Sequence, residues 1–425
     1  MELNIRYVDI KDMEFSAATA FHGGVLSLNR EELTARLADP CFSAVELELA
    51  RPGESCRISR AGDVIQPMLK LDDPDATFPG LLGKTVPAGG GSTLKLRGAA
   101  VVETYELPLP RNHFIDMSGP NAEYTPFSKT VNLVVSAHPA QGVEQMAYGA
   151  ALKRISLLAA KYLAQAAAEA PPSGEEQLCF DYNSELQLLD EAGNILPRVA
   201  YVHQYLAASE QIEQVFYGKG YYTSLPMLFH PLEFLDGAVM NKNYLQSMNA
   251  DVSYFLQNHP MITELLSRHG KDLNFAGVVY CHTPWSFEDK DRNAMMAVQL
   301  LKQVLKADAV VITKEGGGHP QIDLDCLCRW CEKAGIQTQI SFFELNTTSG
   351  SCEEVLLFYN PAVDAIASFG CLKEIELPVM GRIIGSRTMA GAQKPLDQPG
   401  NRMNNWDIRG AMSQLGECRY KSIKY

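Results

Sequence analysis

The chain has 425 residues, is 46% hydrophobic and 20% charged, and carries a formal net charge of -13, a composition that excludes the disordered and fibrous classes. An acidic chain with no dense Lys/Arg run repels nucleic acid and anionic lipid, so neither partner is expected. The start lacks a secretory pattern, no apolar run reaches membrane-spanning length, and the ten scattered cysteines read as reduced thiols, which together predict a cytoplasmic protein.

The first third holds short β-branched and apolar runs, at 43–49 and 99–105, separated by Pro and Gly. With the turn-forming Gly89-Gly90-Gly91-Ser92 tract, they predict a β-rich unit with little helix. Residues 143–169 predict a long alanine-rich helix. Leu152, Ile155, Ala159, Tyr162 and Leu163 recur at helical spacing, while Lys153, Arg154 and Lys161 fall on other faces. Ala170-Pro171-Pro172-Ser173-Gly174 breaks that helix and opens a linker.

Beyond 195, strand-like runs at 199–206, 225–229, 275–281, 309–313, 338–343 and 363–368 alternate with helical stretches such as 293–305 and 324–333. Such alternation predicts a mainly parallel sheet covered by helices on both faces. The expected fold is therefore α/β. A β-rich domain over 1–170 ends in the long helix, a linker spans 171–195, and an α/β domain spans 196–390. A polar tail over 391–425 is expected to wrap a partner.

The Lys314-Glu315-Gly316-Gly317-Gly318-His319-Pro320 loop follows a strand and precedes a helix. Backbone N–H groups at such a junction can meet a carboxylate or phosphate, although a tight strand-to-helix turn explains the glycines equally well. Glu315 and His319 flank the loop as candidate proton-handling groups. The loop matches no dinucleotide or nucleotide fingerprint. Cys326, Cys328 and Cys331 lack a fourth ligand, so they read as buried apolar thiols and no metal is expected; on a helix, Cys328 and Cys331 share a face and Cys326 points elsewhere. Two further stretches mix polar residues with turn-formers: residues 115–129 and residues 231–238, the latter including Glu233 and Asp236.

Those stretches also carry a likeness. Arg51-Pro52-Gly53-Glu54-Ser55, Asp116-Met117-Ser118-Gly119-Pro120, Tyr124-Thr125-Pro126-Phe127-Ser128-Lys129, Asp236-Gly237-Ala238 and Arg268-His269-Gly270-Lys271-Asp272 stand in one order along the chain. In that order the chain resembles the component B α/β subunit proproteins of glycine, sarcosine and betaine reductases. The likeness runs the whole length and is weakest after 345. It implies an oligomeric complex with a selenocysteine- or cysteine-containing component B subunit, and with protein A as a further partner. In that family the proprotein cuts itself at an Asn-Cys junction and leaves a pyruvoyl group. The pyruvoyl condenses with the substrate amine, so that a partner selenolate displaces nitrogen from carbon.

Here the matching stretch reads Asn241-Lys242-Asn243-Tyr244-Leu245-Gln246-Ser247. Asn243 is present, but Tyr244 stands where the cysteine would be. Its phenolic oxygen, held across a rigid ring, cannot close a five-membered ring on its own backbone. No pyruvoyl cofactor is expected at that junction; Ser247 would need the cut to move by three residues. A quaternary ammonium substrate such as betaine has no N–H for imine formation and leaves as a neutral amine, and an aromatic ring such as that of Tyr244 would hold its cation. The resulting expectation is a subunit that binds a small amino-acid or betaine-like substrate through Glu233, Asp236, Glu315, Gly316, Gly317, Gly318 and His319, with Asn243 and Tyr244 at the reacting position. A non-catalytic scaffold paralogue and a stand-alone α/β protein for a small carboxylate remain as alternatives. No nicotinamide or flavin signature is present, so electrons would arrive through external thiols.

Overall fold

The structure is a computed structural model that describes residues 1–107, 113–180, 187–206, 214–220, 224–242, 251–344 and 363–416. It is α/β, with several mixed sheets. The amino-terminal part is strand-dominated: β1 (Glu2–Asp9), β2 (Phe42–Ala50), β3 (Ala61–Ile65), β4 (Met68–Lys70), β5 (Gly91–Arg97), β6 (Ala99–Thr104) and β7 (Val131–Pro139). They build two four-stranded sheets. One has β2, β7, β6 and β3 in that spatial order; the other has β1 and β5 side by side, β4 outside β5, and β8 (Gly174–Cys179) outside β1. Apolar side chains alternating along these strands bury one shared core, packed under helix α1 (Gln145–Ala166).

Two expectations change here. Strand β8 lies inside the expected linker and pairs antiparallel with β1 from Glu2↔Cys179 to Tyr7↔Gly174; its alternating polar sequence is that of an edge strand with one wet face. Lys153 is not on a solvent face of α1 but 1% exposed. An alanine-rich helix buries nearly its whole circumference, and the lysine is accommodated by two carboxylates described below.

The second part is organised by one six-stranded sheet. Its strands are β9 (Arg198–Tyr205), β11 (Met227–Phe229), β13 (Asn274–His282), β14 (Ala309–Lys314), β15 (Gln337–Glu344) and β16 (Ala365–Cys371), and between β9 and β13 the short β10 (Gln214–Phe216) and β12 (Val239–Asn241) pair outside it. Counted in chain order, the five parallel strands lie 2-1-3-4-5, and the short β11 adds antiparallel to β13. The switch in strand order falls between β9 and β14, where the connections leave in opposite directions and open a crevice at the carboxyl edge.

Side-chain alternation divides the sheet. Ala200, Val202, Val279 and Ile312 face helices α5 (Phe287–Gln299) and α6 (Pro320–Lys333). Tyr201, Tyr205, Val278 and Tyr280 face the other way, into a core shared with Phe255 and Ile262 of the helices α3 (Ser253–Gln257) and α4 (Pro260–Arg268). That core also contains Ile58, Val64 and Val134 of the amino-terminal sheets. The second face is thus covered partly by short helices and partly by the β-rich region, not by helices alone.

The expected tail does not stand away from the chain. Arg382–Ile384 runs parallel to Cys56–Ser59, and Asn401–Asn404 pairs with Glu374–Leu377. Leu396, Met403, Ile408 and Ala411 bury against Phe114, so residues up to 416 form a strap returning across the amino-terminal sheets. No described helix is long and apolar enough to cross a membrane.

Candidate functional site

Strand β14 ends at Lys314, and the next residue extends the ladder: the Glu315 N–H donates to the Gln204 carbonyl at 2.8 Å. Its side chain then turns toward the β-rich region. One carboxylate oxygen accepts from the Leu206 N–H at 2.8 Å; the other accepts from Gln214 Nε2 at 2.8 Å and the Asp251 N–H at 3.0 Å. Gln214 is oriented by Tyr280, whose hydroxyl donates to its Oε1 at 2.6 Å. Glu315 is fully buried. Burial pushes its carboxyl up to about 7, although the three N–H donors pull the other way.

Asp251 is the second buried acid. Its carboxylate accepts from the Gln414 N–H at 3.2–3.3 Å. Burial first, and then the nearby Glu315 charge, raise its carboxyl well above the ordinary value. Two acids this close and this dry resist holding two negative charges.

Both described ends of the 243–250 gap are pinned here. Asn241 donates through Nδ2 to the Asp251 carbonyl and through its backbone N–H to Ser253 Oγ at 3.1 Å. The Ser253 N–H in turn donates to Asp63 Oδ1 at 2.8 Å. Asn241 Oδ1 is buried with no partner among the described residues. Asn243, Tyr244 and Ser247 themselves lie outside the described residues.

Beside Asp251 opens a small pocket, walled by Val252 and Phe255 on one side and by Trp406, Arg409, Met412 and Gln414 of the strap on the other. Arg409 is 3% exposed. Its Nε and Nη2 both donate to the Ala61 carbonyl, at 3.3 and 3.2 Å. Burial pulls the guanidinium down to about 10, against the pull of Asp63 and Glu103. The strap is seated by Gly410, at φ +83°, where an added Cβ would lie 2.5 Å from Phe127.

The other candidates are distributed elsewhere. Gly316 and Gly318 take φ of +79° and +72°, and Lys314 Nζ donates to the Gly316 carbonyl at 2.6 Å; with Gly317 they make the sharp turn into α6. His319, four residues from Glu315, lies on the opposite face of the sheet. Its ring stacks on Trp285 with centroids 4.3 Å apart, and its Nδ1 is 3.0 Å from Lys290 Nζ. Burial and the Lys290 charge hold that imidazole down at about 4. Glu315 and His319 are therefore neighbours in sequence only.

Glu233 belongs to helix α2 (Pro231–Leu235), where it completes a capping box by accepting from the His230 N–H at 2.7 Å; it also accepts from the Tyr217 hydroxyl at 2.5 Å. Asp236 accepts from Lys70 Nζ at 2.7 Å, the Gly89 N–H at 2.8 Å and Thr93 Oγ1 at 2.5 Å. Both carboxylates fasten α2 to neighbouring loops and share no partner with Glu315.

Cys326, Cys328 and Cys331 are all buried in the α5–α6 core, Cys326 included, and burial raises each thiol. Among the described residues no group of His, Cys, Asp and Glu is arranged to hold a metal ion. The family-type motifs form joints. Asp116 makes a fully buried bidentate pair with Arg57, at 2.6 and 2.8 Å. Thr125 Oγ1 donates to the Arg409 carbonyl at 2.7 Å, and the His269 ring accepts the Phe275 N–H at 3.0 Å.

Sequence reasoning missed Asp251, Arg409, Gln214 and Tyr280. The signal for Arg409 was local: an apolar-Arg-Gly step, Ile408-Arg409-Gly410, inside a tail otherwise read as polar.

Fold and crevice together define an α/β protein with a crevice at the carboxyl edge of a parallel sheet, covered by a strap from the carboxyl-terminal region. A family model for glycine/sarcosine/betaine reductase component B subunits matches residues 1–415, and the chain belongs to that family. It is 35% identical over 387 residues to the glycine reductase complex component B subunits alpha and beta of Acetoanaerobium sticklandii, covering 91% of this chain and 89% of the relative. The sarcosine reductase complex component B subunit alpha of Peptoclostridium acidaminophilum is 34% identical over 400 residues, covering 93% and 92%. The betaine reductase complex component B subunit alpha of the same organism is 27% identical over 394 residues, covering 91% and 88%. No solved structure matches.

Proposed function

We propose that this chain is the substrate-binding subunit of a glycine/sarcosine/betaine reductase-like complex. It holds a small amino-acid or betaine-like molecule at the carboxyl-edge crevice, for reductive cleavage of a C–N or related carbon–heteroatom bond. The observation that carries this reading is the pinning of Asn241 to Asp251 and of Asp251 to Glu315. Both described flanks of the family's processing junction are held at the switch point, where sheets of this strand order take their ligands.

The nucleophile comes from a partner in this reading. Among the described residues no cysteine lines the pocket, and Cys56, Cys281, Cys326, Cys328 and Cys331 are buried. A selenolate or thiolate of a second component B subunit, or of protein A, supplies the attacking atom. The pyruvoyl group does not fit this chain: Tyr244 offers no oxygen or sulfur one carbon from the backbone. No step passes through that group.

A substrate with a quaternary ammonium already carries its leaving group in activated form, and the uncut chain suits it. The test is to reconstitute the complex with its partner and a dithiol, then follow released amines by mass spectrometry alongside the intact mass of this chain. A single species at 46.8 kDa with release of trimethylamine from betaine is expected. Turnover of glycine but not betaine, or a shortened chain with an α-keto terminus, overturns the reading.

A further inference from the structure

We propose that Arg409 and Asp251 form a two-ended clamp for a zwitterion, the guanidinium taking the ligand's carboxylate and the aspartate facing its ammonium. This rests on the reading of the chain as a substrate-binding subunit and names the residues that read the substrate's two charges.

Both side chains line one pocket and both are more than nine-tenths buried, Asp251 at 4% and Arg409 at 3% exposure. A guanidinium has five N–H donors. Here two nitrogens converge on a single neutral acceptor, the Ala61 carbonyl, and among the described residues Nη1 has none. Among the described residues Arg409 is bonded to no carboxylate; Asp63, Glu103 and Asp251 act on it only at longer range. Asp251, for its part, takes hydrogen bonds from the strap at the Gln414 N–H and at Ser413, and among the described residues it is bonded to no cation.

A guanidinium with donors to spare and a buried acid, set around one pocket, are groups that a ligand can complete. A molecule with a carboxylate at one end and an ammonium at the other completes both. Trp406 and Phe255 line the pocket from its two sides, and aromatic rings of that kind can hold a cation. The acids supply the counter-charge: an ammonium beside Asp251 favours the ionised form that burial and Glu315 oppose.

Arg409 lies on the strap and Asp251 at the edge of the family's junction segment. The clamp therefore exists only while the strap is seated, which the Gly410–Phe127 contact and the Thr125–Arg409 hydrogen bond enforce.

Isothermal titration of the full chain with betaine, glycine, acetate and tetramethylammonium tests the assignment. At least one zwitterion is expected to bind more tightly than either single-charge probe. Arg409→Met is expected to weaken that zwitterion by roughly 10- to 100-fold, the loss of a charge-assisted partner, while sparing tetramethylammonium. Asp251→Asn is expected to weaken the zwitterion and tetramethylammonium while sparing acetate. If Arg409→Met does not fold, Arg409→Lys, which keeps the charge but not the fork, retains the preference at reduced strength. A wild-type chain that binds no zwitterion, or binds it no better than the single-charge probes, overturns the clamp, as does a folded Arg409→Met with unchanged zwitterion affinity. Turnover by the complex without this charge dependence removes the clamp alone; zwitterion binding without turnover removes the reductase reading and leaves the clamp.

Discussion

The protein buries charge in two regions, and it treats them differently. Beneath helix α1, Lys153 Nζ lies 2.5 Å from Asp63 and 3.2 Å from Glu103, all three within the core. Burial works against the lysine's charge, but the two carboxylates outweigh it and hold its pKa above the usual value. Arg57 and Asp116 repeat the pattern with a bidentate pair. At the carboxyl-edge crevice the same residue types are as dry but less matched: among the described residues Glu315 and Asp251 have no bonded cation and Arg409 has no bonded carboxylate. Matched buried charge is what a fold needs to hold its layers together; less fully matched buried groups stay open to a further partner.

The sharpest way to break that contrast is Lys153→Met. Two carboxylates would be left in the core without their cation, and a loss of about 3–5 kcal/mol is expected in urea unfolding. A loss near zero would show that the triad is no more load-sharing than a surface pair. Adding Asp63→Asn and Glu103→Gln to that variant is expected to recover part of the loss.

The next effect tests whether Asp236 is a fastening rather than a ligand-binding group. Asp236→Ala strands Lys70, the Gly89 N–H and Thr93, and is expected to cost about 2–3 kcal/mol with zwitterion affinity retained. Affinity lost without a stability change would return Asp236 to the binding site.

The smallest effect is read from pH. Glu315 has a folded pKa raised from 4.5 to about 7, so its contribution to stability is full below the unfolded value and is lost as pH rises through the folded one. Glu315→Gln removes that loss. Relative to wild type, the variant should gain stability as pH rises across that window, measured by thermal unfolding at fixed ionic strength. A constant difference across the window would mean the carboxyl is ionised throughout.

The α/β class, the strand-rich first third and the parallel run of strands were legible because they rest on local periodicity. The long helix was placed at 143–169 and spans Gln145–Ala166. Periodicity carries no information about what lies against a face. It could not show that the second face of the parallel sheet is shared with the amino-terminal strands, or that Lys153 has two carboxylates waiting on other elements. Nor could it show that Leu396, Met403 and Ile408, thinly spread among polar residues, all meet Phe114. At the site the loop 314–320 was found because strand-to-helix glycines are a local signal. Its two titratable residues were then grouped together, yet the chain turns between them at Gly316 and Gly318, both at positive φ, and Glu315 and His319 part company there. Asp251 and Arg409 are 158 positions apart in the chain, and nothing short of the tertiary contact joins them.

The strap has a bearing on biosynthesis. Arg409 is made 348 positions after Ala61, whose carbonyl seats it. A nascent polypeptide can fold its amino-terminal sheets and begin the parallel sheet while still attached to the ribosome, but the wall beside Asp251 is unfinished until the strap has been made. A product truncated before the strap would be compact yet lack Arg409, Met412 and Gln414 from that wall.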